Sequence, residues 1–364
     1  MRFRVGFAAP LTTPQAIVGV PMLRTVEMAA ADARSRGLDL EIRAADDKED
    51  EGVAVRVASE LVADPSVIAV VGHKNSGPSG AGGPIYARAG LAQVTQCSTD
   101  NALSRAGWAT FFRLCADNER QAAVAAEFAH SHHPKARAVA VHDGTDYGRP
   151  LVEAFATRLH ELSGREVTVL AMHVGQEDFS EIVGAIRAAK ADIVDFGATE
   201  IESSKLMRAL RVAGVRAQVI SSEGGPDNPI ARLAGPAGEG SIHTYAGADP
   251  LGTPASRELV RRCLSEIGET PSYVVECYDA VSVIAAALEK GASTRAEVRE
   301  AIASTDLQGL GGRIRFDPQG DRIEAPVSLW RVVDGRMVPL AESRARRSPG
   351  SGAGRAPDQA DGSP

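Results

Sequence analysis

Two hydroxyl side chains, Ser76 and Thr99, each follow an apolar run that is typical of a buried strand. Ser76 lies in a Gly-rich loop after residues 67–72, and Thr99 lies in a polar loop after residues 91–94. Loops at the carboxyl ends of neighbouring parallel strands meet at one edge of an open α/β sheet, where such sheets bind ligands. Both side chains are expected at or near helix N-termini, which attract anions. The pair therefore predicts a carboxylate site rather than a catalytic centre.

Other residues that could do chemistry have simpler interpretations. Cys97 could be a nucleophile near a helix N-terminus, but the sequence offers no obvious base beside it, so a packing role is favoured. His73 follows a buried strand, which favours a structural histidine. The histidines within residues 130–133 precede Pro134, so we expect the solvated end of a helix rather than a metal site.

The Gly-rich loop does not fit the nucleotide-binding or hydrolase motifs that it superficially suggests. Gly72 and Gly77 have the spacing of a P-loop, but Pro78 stands where the motif requires lysine. Ala81 replaces the last glycine of a nucleophile elbow around Ser79. We therefore predict no catalytic residue, no metal and no cofactor.

The composition limits the possible classes of protein. A chain of 364 residues is too long for one ordinary core, so two domains are expected. The net charge of -7 argues against general binding of nucleic acid, and no apolar run approaches the roughly 18 residues of a membrane span. Because the four cysteines form no CxxC pair, we expect buried thiols. They are Cys97, Cys115, Cys263 and Cys277.

Strand-like and helix-like segments alternate along most of the chain, which predicts an α/β fold with largely parallel sheets. The pattern restarts after Asp117 as a second block of similar design. Helices over 255–267 and 272–290 are expected to cap the earlier sheet. Residues 313–316 and 325–333 are predicted to form a final strand pair. The polar tail, residues 342–364, has nothing to bury and is predicted to be disordered.

Several short motifs occur along the chain in a characteristic order and spacing. They are Asp46-Asp47, Val71-Gly72-His73, Ile85-Tyr86, His142-Asp143 with Tyr147-Gly148, and Glu223-Gly224. With these motifs, the chain resembles the branched-chain amino-acid binding proteins of ABC transporters, which have a type I periplasmic binding fold. The resemblance extends from about Val5 to Trp330.

The resemblance implies two Rossmann-like lobes, joined by a three-crossing hinge, with the ligand trapped between them. The crossings would lie near Asp117, Asp249 and Ala325. Residues 1–117 and 249–325 would form lobe 1, and residues 118–248 and 326–341 would form lobe 2.

The resemblance also implies roles for particular residues. Ser76 and Thr99 would bind the α-carboxylate of an amino acid on lobe 1. The carbonyl of Cys97, Thr99 and the acidic Glu223 of lobe 2 would hold the ammonium group. Tyr147 would close over the ligand, and Tyr273 would lie near the end of its side chain.

Two positions depart from the leucine/isoleucine/valine-binding branch of the family, which has tyrosines where this chain has Val18 and Thr199. Loss of two rings should widen or reshape the pocket, so a bulkier or more polar amino acid is expected as much as leucine, isoleucine or valine. A disulfide of that branch also has no counterpart, because Glu49 and Asn75 stand roughly at its positions.

The resemblance therefore implies a non-enzymatic solute-binding protein that acts as a monomer, binds an amino acid or a similar carboxylate, and delivers it to an ABC permease. The family location is extracytoplasmic, in the periplasm or at the cell surface. Because residues 1–11 lack the features of an export signal, a cytoplasmic ligand sensor on the same fold is the alternative interpretation. An enzyme that uses Cys97 or His73 is the third and least favoured interpretation.

Overall fold

Two sheets organise the protein, whose computed structural model describes residues 2–340. The strands of the first sheet are β1 (Phe3–Ala9), β2 (Leu40–Asp46), β3 (Val67–Gly72), β4 (Ala92–Thr95) and β5 (Phe111–Arg113). They are parallel and lie in the order β2-β1-β3-β4-β5. Every residue of β3 is buried, as expected for a central parallel strand that is covered on both faces.

The second sheet combines parallel strands with an antiparallel edge. The remaining strands are β6 (Ala138–His142), β7 (Thr168–Ala171), β8 (Ile193–Gly197), β9 (Gln218–Ser221), β10 (Ile242–Tyr245), β11 (Leu307–Gly309), β12 (Gly312–Ile314), β13 (Ser328–Val333) and β14 (Arg336–Leu340). The sheet order is β14-β13-β10-β9-β8-β6-β7, whereas β11 and β12 form a separate hairpin. Strand β13 is antiparallel to both of its neighbours.

Helices cover both sheets. They are α1 (Ala16–Ser35), α2 (Glu51–Ala63), α3 (Ser76–Arg88), α4 (Asn101–Arg105), α5 (Asn118–His132), α6 (Gly148–Ser163), α7 (Ser180–Ala188), α8 (Glu200–Val212), α9 (Pro229–Ala234), α10 (Pro254–Glu266), α11 (Val274–Glu289) and α12 (Arg295–Ala303). Among residues 2–340, no helix combines the length and apolarity that a membrane span requires. Helix α11 packs on α1, and α12 contacts β3, so these late helices belong with the first sheet.

The chain passes between the two sheets three times. It leaves β5 for α5, leaves β10 for the helices that pack on the first sheet, and finally returns to β13. Backbone hydrogen bonds join these connections: the Ala116 N–H donates to Ala246 O at 2.9 Å, and the Arg322 N–H donates to Arg113 O at 3.0 Å. The result is a two-lobed α/β protein, as predicted.

The predicted final strand pair is wrong. Strand β12 pairs with β11, whereas β13 pairs with β10 and β14. The turn between β13 and β14 contains Asp334 and Gly335, both with positive φ, as a tight two-residue hairpin requires. That Asp-Gly signal was available in the sequence. The predicted tail, residues 342–364, lies outside the described residues.

Arg113 ties the polar loop after β4 to the third connection. Its guanidinium is fully buried, and its Nε and Nη2 both contact Asp321 Oδ1, at 2.9 and 2.6 Å. The Nη1 group donates to Asp100 O at 2.7 Å, and Nη2 donates to Ser104 Oγ at 3.1 Å. One buried cation therefore holds the loop that contains Thr99 against the hinge.

We expect Asp321→Ala to lower the free energy of unfolding by about 3 kcal/mol, because it leaves the buried Arg113 cation without its carboxylate. Urea denaturation of the purified protein measures this loss. The matched control is Asp306→Ala, which removes the partner of Arg313 from a pair whose side chains are both about half exposed. Asp306→Ala should lower the free energy of unfolding by less than about 1 kcal/mol. Equal losses in the two variants would contradict the assignment of Arg113 and Asp321 as a stabilising buried ion pair.

Candidate functional site

A small cavity lies where the loops that follow β3, β4, β6, β8 and β9 face one another across the two lobes. Its volume is about 30 Å³, which is room for about two water molecules. The residues around it are Val18, Met22, Lys74, Asn75, Ser76, Cys97, Tyr147, Thr199, Glu200, Glu223, Ser272 and Tyr273. Seven of the eight residues singled out in the sequence are among them. Thr99 is the exception, although it lies two residues after Cys97.

The first lobe contributes the hydroxyl loops. Ser76 is the first residue of α3 and is 3% exposed, and its Oγ accepts a hydrogen bond from the Asp100 N–H at 3.3 Å. This contact joins the two loops. Thr99 is 1% exposed, and its Oγ1 has no hydrogen-bond partner within residues 2–340. Burial of a hydroxyl group without a hydrogen-bond partner costs free energy, so Thr99 Oγ1 is available for a hydrogen bond with a ligand.

A buried network beneath Ser76 fixes the backbone of its loop. The ring of His73 contacts Asp47 Oδ2 through Nδ1 at 2.8 Å, and contacts the Tyr86 hydroxyl through Nε2 at 3.0 Å. The His73 carbonyl accepts from Thr95 Oγ1 at 3.1 Å and from Ser98 Oγ at 2.9 Å. His73 is therefore a structural histidine, as predicted.

The chemistry of Cys97 agrees with a packing role. Its side chain is 9% exposed and its Sγ donates to the Lys74 carbonyl at 3.2 Å. Burial raises the pKa of the thiol well above its usual value, so the reactive thiolate does not form near neutral pH. All four cysteines are free and buried, which confirms that prediction.

The second lobe contributes a buried acid, Glu223, in the loop after β9. The Tyr147 hydroxyl donates to Glu223 Oε1 at 2.9 Å. Burial and the neighbouring Glu200 raise the pKa of Glu223 to about 8, although Lys74 and the Tyr147 hydrogen bond oppose the rise. A cation beside Glu223 would lower this pKa, because it would stabilise the ionised form of the carboxyl group.

Lys74 and Glu200 are the two charged residues of the cavity that the sequence analysis missed. Lys74 is 8% exposed, and its Nζ donates to Gln15 Oε1 at 3.2 Å. Burial alone would lower the pKa of Lys74, but the carboxylates of Glu200 and Glu223 outweigh that effect and raise it. Glu200 is the first residue of α8 and fully buried, and within residues 2–340 neither carboxylate oxygen has a hydrogen-bond partner.

Lysine and glutamate side chains are usually exposed, so residue type alone predicts that both side chains lie in solvent. The only available signals were their positions, directly after the Val71-Gly72-His73 motif and directly after Thr199. Met22, Asn75 and Ser272 were also missed.

The remaining predicted residues are Val18 on α1, Tyr273 just before α11, and Thr199 just before α8. Val18 is 2% exposed, and the Thr199 hydroxyl donates to Glu202 Oε2 at 2.6 Å. Tyr273 precedes α11 with a φ of 53°, and its ring lies 4.8 Å from the Tyr245 ring. Lys74 and Glu200 also line the cavity, so its lining carries charged as well as apolar side chains.

Two other places in the fold carry side chains that could do chemistry. An open groove of about 880 Å³ lies beside α4, α5 and α6, and four of its charged side chains pair with each other. Arg105 contacts Glu119 at 2.7 Å, and Arg158 contacts Glu161 at 3.1 Å. In the histidine run, His132 and His133 are exposed, and no cluster suited to a metal occurs in residues 2–340.

Comparisons with known proteins agree with this architecture. Residues 2–336 match the family described as periplasmic binding protein. The chain is 32% identical over 336 residues to Leu/Ile/Val-binding protein homolog 2 of Brucella abortus, covering 90% of each protein. It is 30% identical over 323 residues to homolog 1 of Brucella melitensis, covering 87% of this chain and 86% of that protein.

Solved structures show the same fold. A leucine-binding protein from Thermotoga maritima superimposes with a TM-score of 0.86 at 24% identity, covering 93% of this chain and 98% of that protein. A branched-chain amino acid transporter substrate-binding protein from Streptococcus pneumoniae, solved with isoleucine, has a TM-score of 0.82 at 18% identity and covers 93% of this chain and all of that protein. The chain therefore belongs to the periplasmic binding protein family and has the two-lobed type I fold of that family.

Proposed function

We propose that this protein is the solute-binding component of an amino-acid ABC importer. Its relatives are named Leu/Ile/Val-binding protein homologues, and a further relative from Pseudomonas aeruginosa, 30% identical over 324 residues, is named an amino acid binding protein. The protein would act outside the cytoplasm as a monomer. It would capture one amino acid between its lobes and deliver it to a permease.

One observation carries the proposal: a hydroxyl-lined helix N-terminus on one lobe faces a buried acid on the other across a single cavity. Ser76 and Thr99, with the free N–H groups that open α3, would bind the α-carboxylate of the ligand. Glu223, with the Cys97 carbonyl, would bind the α-ammonium group. Because an α-amino acid carries both charges a few ångströms apart, it would be held by charge-assisted hydrogen bonds from both lobes.

The position of the cavity between the lobes sets the order of events. Because residues of both lobes line it, the ligand would enter while the lobes are apart. Closure would then bring Glu223 and Tyr147 to a ligand that is already on Ser76 and Thr99. The ligand would favour the closed arrangement because only that arrangement offers contacts from both lobes.

We expect Glu223→Gln to weaken binding of the preferred amino acid by roughly ten- to a hundredfold, because a charge-assisted hydrogen bond contributes about 1.5–3 kcal/mol. Isothermal titration calorimetry on protein that has been unfolded, stripped of ligand and refolded measures the affinity. Glu181→Gln is the matched control, since Glu181 lies exposed on α7 of the same lobe. Unchanged affinity in Glu223→Gln would remove Glu223 from the ammonium site.

The ligand-free protein should open as the pH rises. Burial and Glu200 raise the pKa of Glu223 from 4.5 to about 8 in the closed arrangement, even with Lys74 and the Tyr147 hydroxyl nearby. A raised pKa favours the closed arrangement fully below pH 4.5, and this advantage is lost as the pH rises towards 8. Small-angle scattering should therefore give a larger radius of gyration at pH 8 than at pH 5.

Two controls accompany this measurement. Glu223→Gln cannot ionise at this position, so its radius of gyration should depend less on pH than that of the parent protein. Saturating ligand should keep the parent protein compact at pH 8, because the ammonium group would stabilise the ionised carboxylate. A radius that is independent of pH in the ligand-free parent would contradict this account of the cleft.

A further inference from the structure

The cavity contains two charged groups beyond those that a simple amino acid needs. The α-carboxylate and α-ammonium of the ligand use Ser76, Thr99 and Glu223 in the proposed function, on which this inference rests. Lys74 and Glu200 remain, and both line the same cavity. They are at least nine-tenths buried, with 8% and 0% of their surfaces exposed.

Lys74 and Glu200 do not neutralise each other by direct contact. No ion pair within 4.0 Å joins them in the described part of the chain, residues 2–340. Lys74 uses a hydrogen bond to Gln15, which leaves further N–H donors on its ammonium group. Both oxygens of Glu200 lack a partner among the same residues. The lining of one cavity therefore includes both an unused donor and an unused acceptor.

The charges of this pair discriminate among ligand groups. A carboxylate could accept from Lys74 but would meet the carboxylate of Glu200, whereas an ammonium or guanidinium group would meet the ammonium of Lys74. A hydrocarbon would leave Glu200 without a hydrogen-bond partner and Lys74 with Gln15 alone, which is costly in a closed cleft. Such a site selects by penalising the wrong group as well as by binding the right one.

We propose that Lys74 and Glu200 form a subsite for a neutral carboxamide or ureido group. The carbonyl oxygen of that group would accept from Lys74 Nζ, and its NH2 group would donate to Glu200. Both buried charges would then gain a hydrogen bond without any new charge entering the cleft. The expected ligand is an α-amino acid with a short amide or ureido side chain, as in asparagine or glutamine.

The test is calorimetric titration of the refolded full-length protein with amino acids matched in shape. Asparagine and glutamine are compared with aspartate and glutamate, with the hydrocarbon analogues leucine and homoleucine, and with lysine. We expect the better of the two amides to bind about tenfold or more tightly than its acid and its hydrocarbon analogue. This comparison uses the parent protein alone, so it does not depend on whether any variant folds.

Two variants assign the effect to the subsite. Lys74→Met and Glu200→Gln should each reduce the preference for the amide over its hydrocarbon analogue about tenfold or more. Effects of these variants through the pKa of Glu223 are shared by all α-amino acids and cancel in this ratio of affinities. Lys135→Met and Glu181→Gln, at exposed positions, are the matched controls and should change neither affinity. Melting curves establish that each variant is folded.

The outcomes separate this inference from the proposed function. If amides, acids and hydrocarbons bind equally, the carboxamide subsite is wrong and amino-acid binding stands. If no α-amino acid binds but acetamide or urea does, and both variants abolish that binding, the subsite stands and amino-acid binding is wrong. If the acids, the hydrocarbon analogues or lysine bind more tightly than the amides, or if none of the amino acids, acetamide and urea binds, the inference is overturned.

Discussion

A charge inside a cleft that excludes water is stable only when hydrogen bonds or an opposite charge reach it. Three charged side chains, those of Lys74, Glu200 and Glu223, line one small cavity here, and their mutual influence sets its properties. Glu200 and Glu223 keep Lys74 protonated despite its burial, whereas burial and Glu200 together push Glu223 towards its neutral form. In a closed cleft, these groups would be stabilised by a ligand that supplies the missing hydrogen bonds and opposite charge.

The rest of the fold serves to bring these groups together. Parallel strands place the loops after β3 and β4 side by side, and the loops after β6, β8 and β9 on the facing edge. The His73 network and the Arg113 cation then hold the hydroxyl loops in position from beneath and from the hinge. Because the site is divided between two sheets, binding in the proposed function would be coupled to closure of the lobes.

Much of this arrangement could be predicted from sequence. Alternating apolar strands and amphipathic helices indicated the α/β class, and the ordered motifs indicated the family fold. The serine and threonine loops were located because a polar loop after a buried strand has one usual place in a parallel sheet. The pairing of β13 was mispredicted because strand pairing is a non-local choice, although Asp334 and Gly335 carried a local signal for the hairpin with β14.

The burial of Lys74 and Glu200 in the cavity could not be predicted from the sequence. Their side chains belong to residue types that are normally solvated, and nothing in the neighbouring residues says that the other lobe covers them. The sequence by itself determined the strands, the helices and the loops in which Ser76, Thr99 and Glu223 lie, because these depend on local periodicity and turn chemistry. Only the tertiary structure decided which charges share a buried cavity, because burial and charge coupling depend on the approach of segments more than a hundred residues apart in the chain.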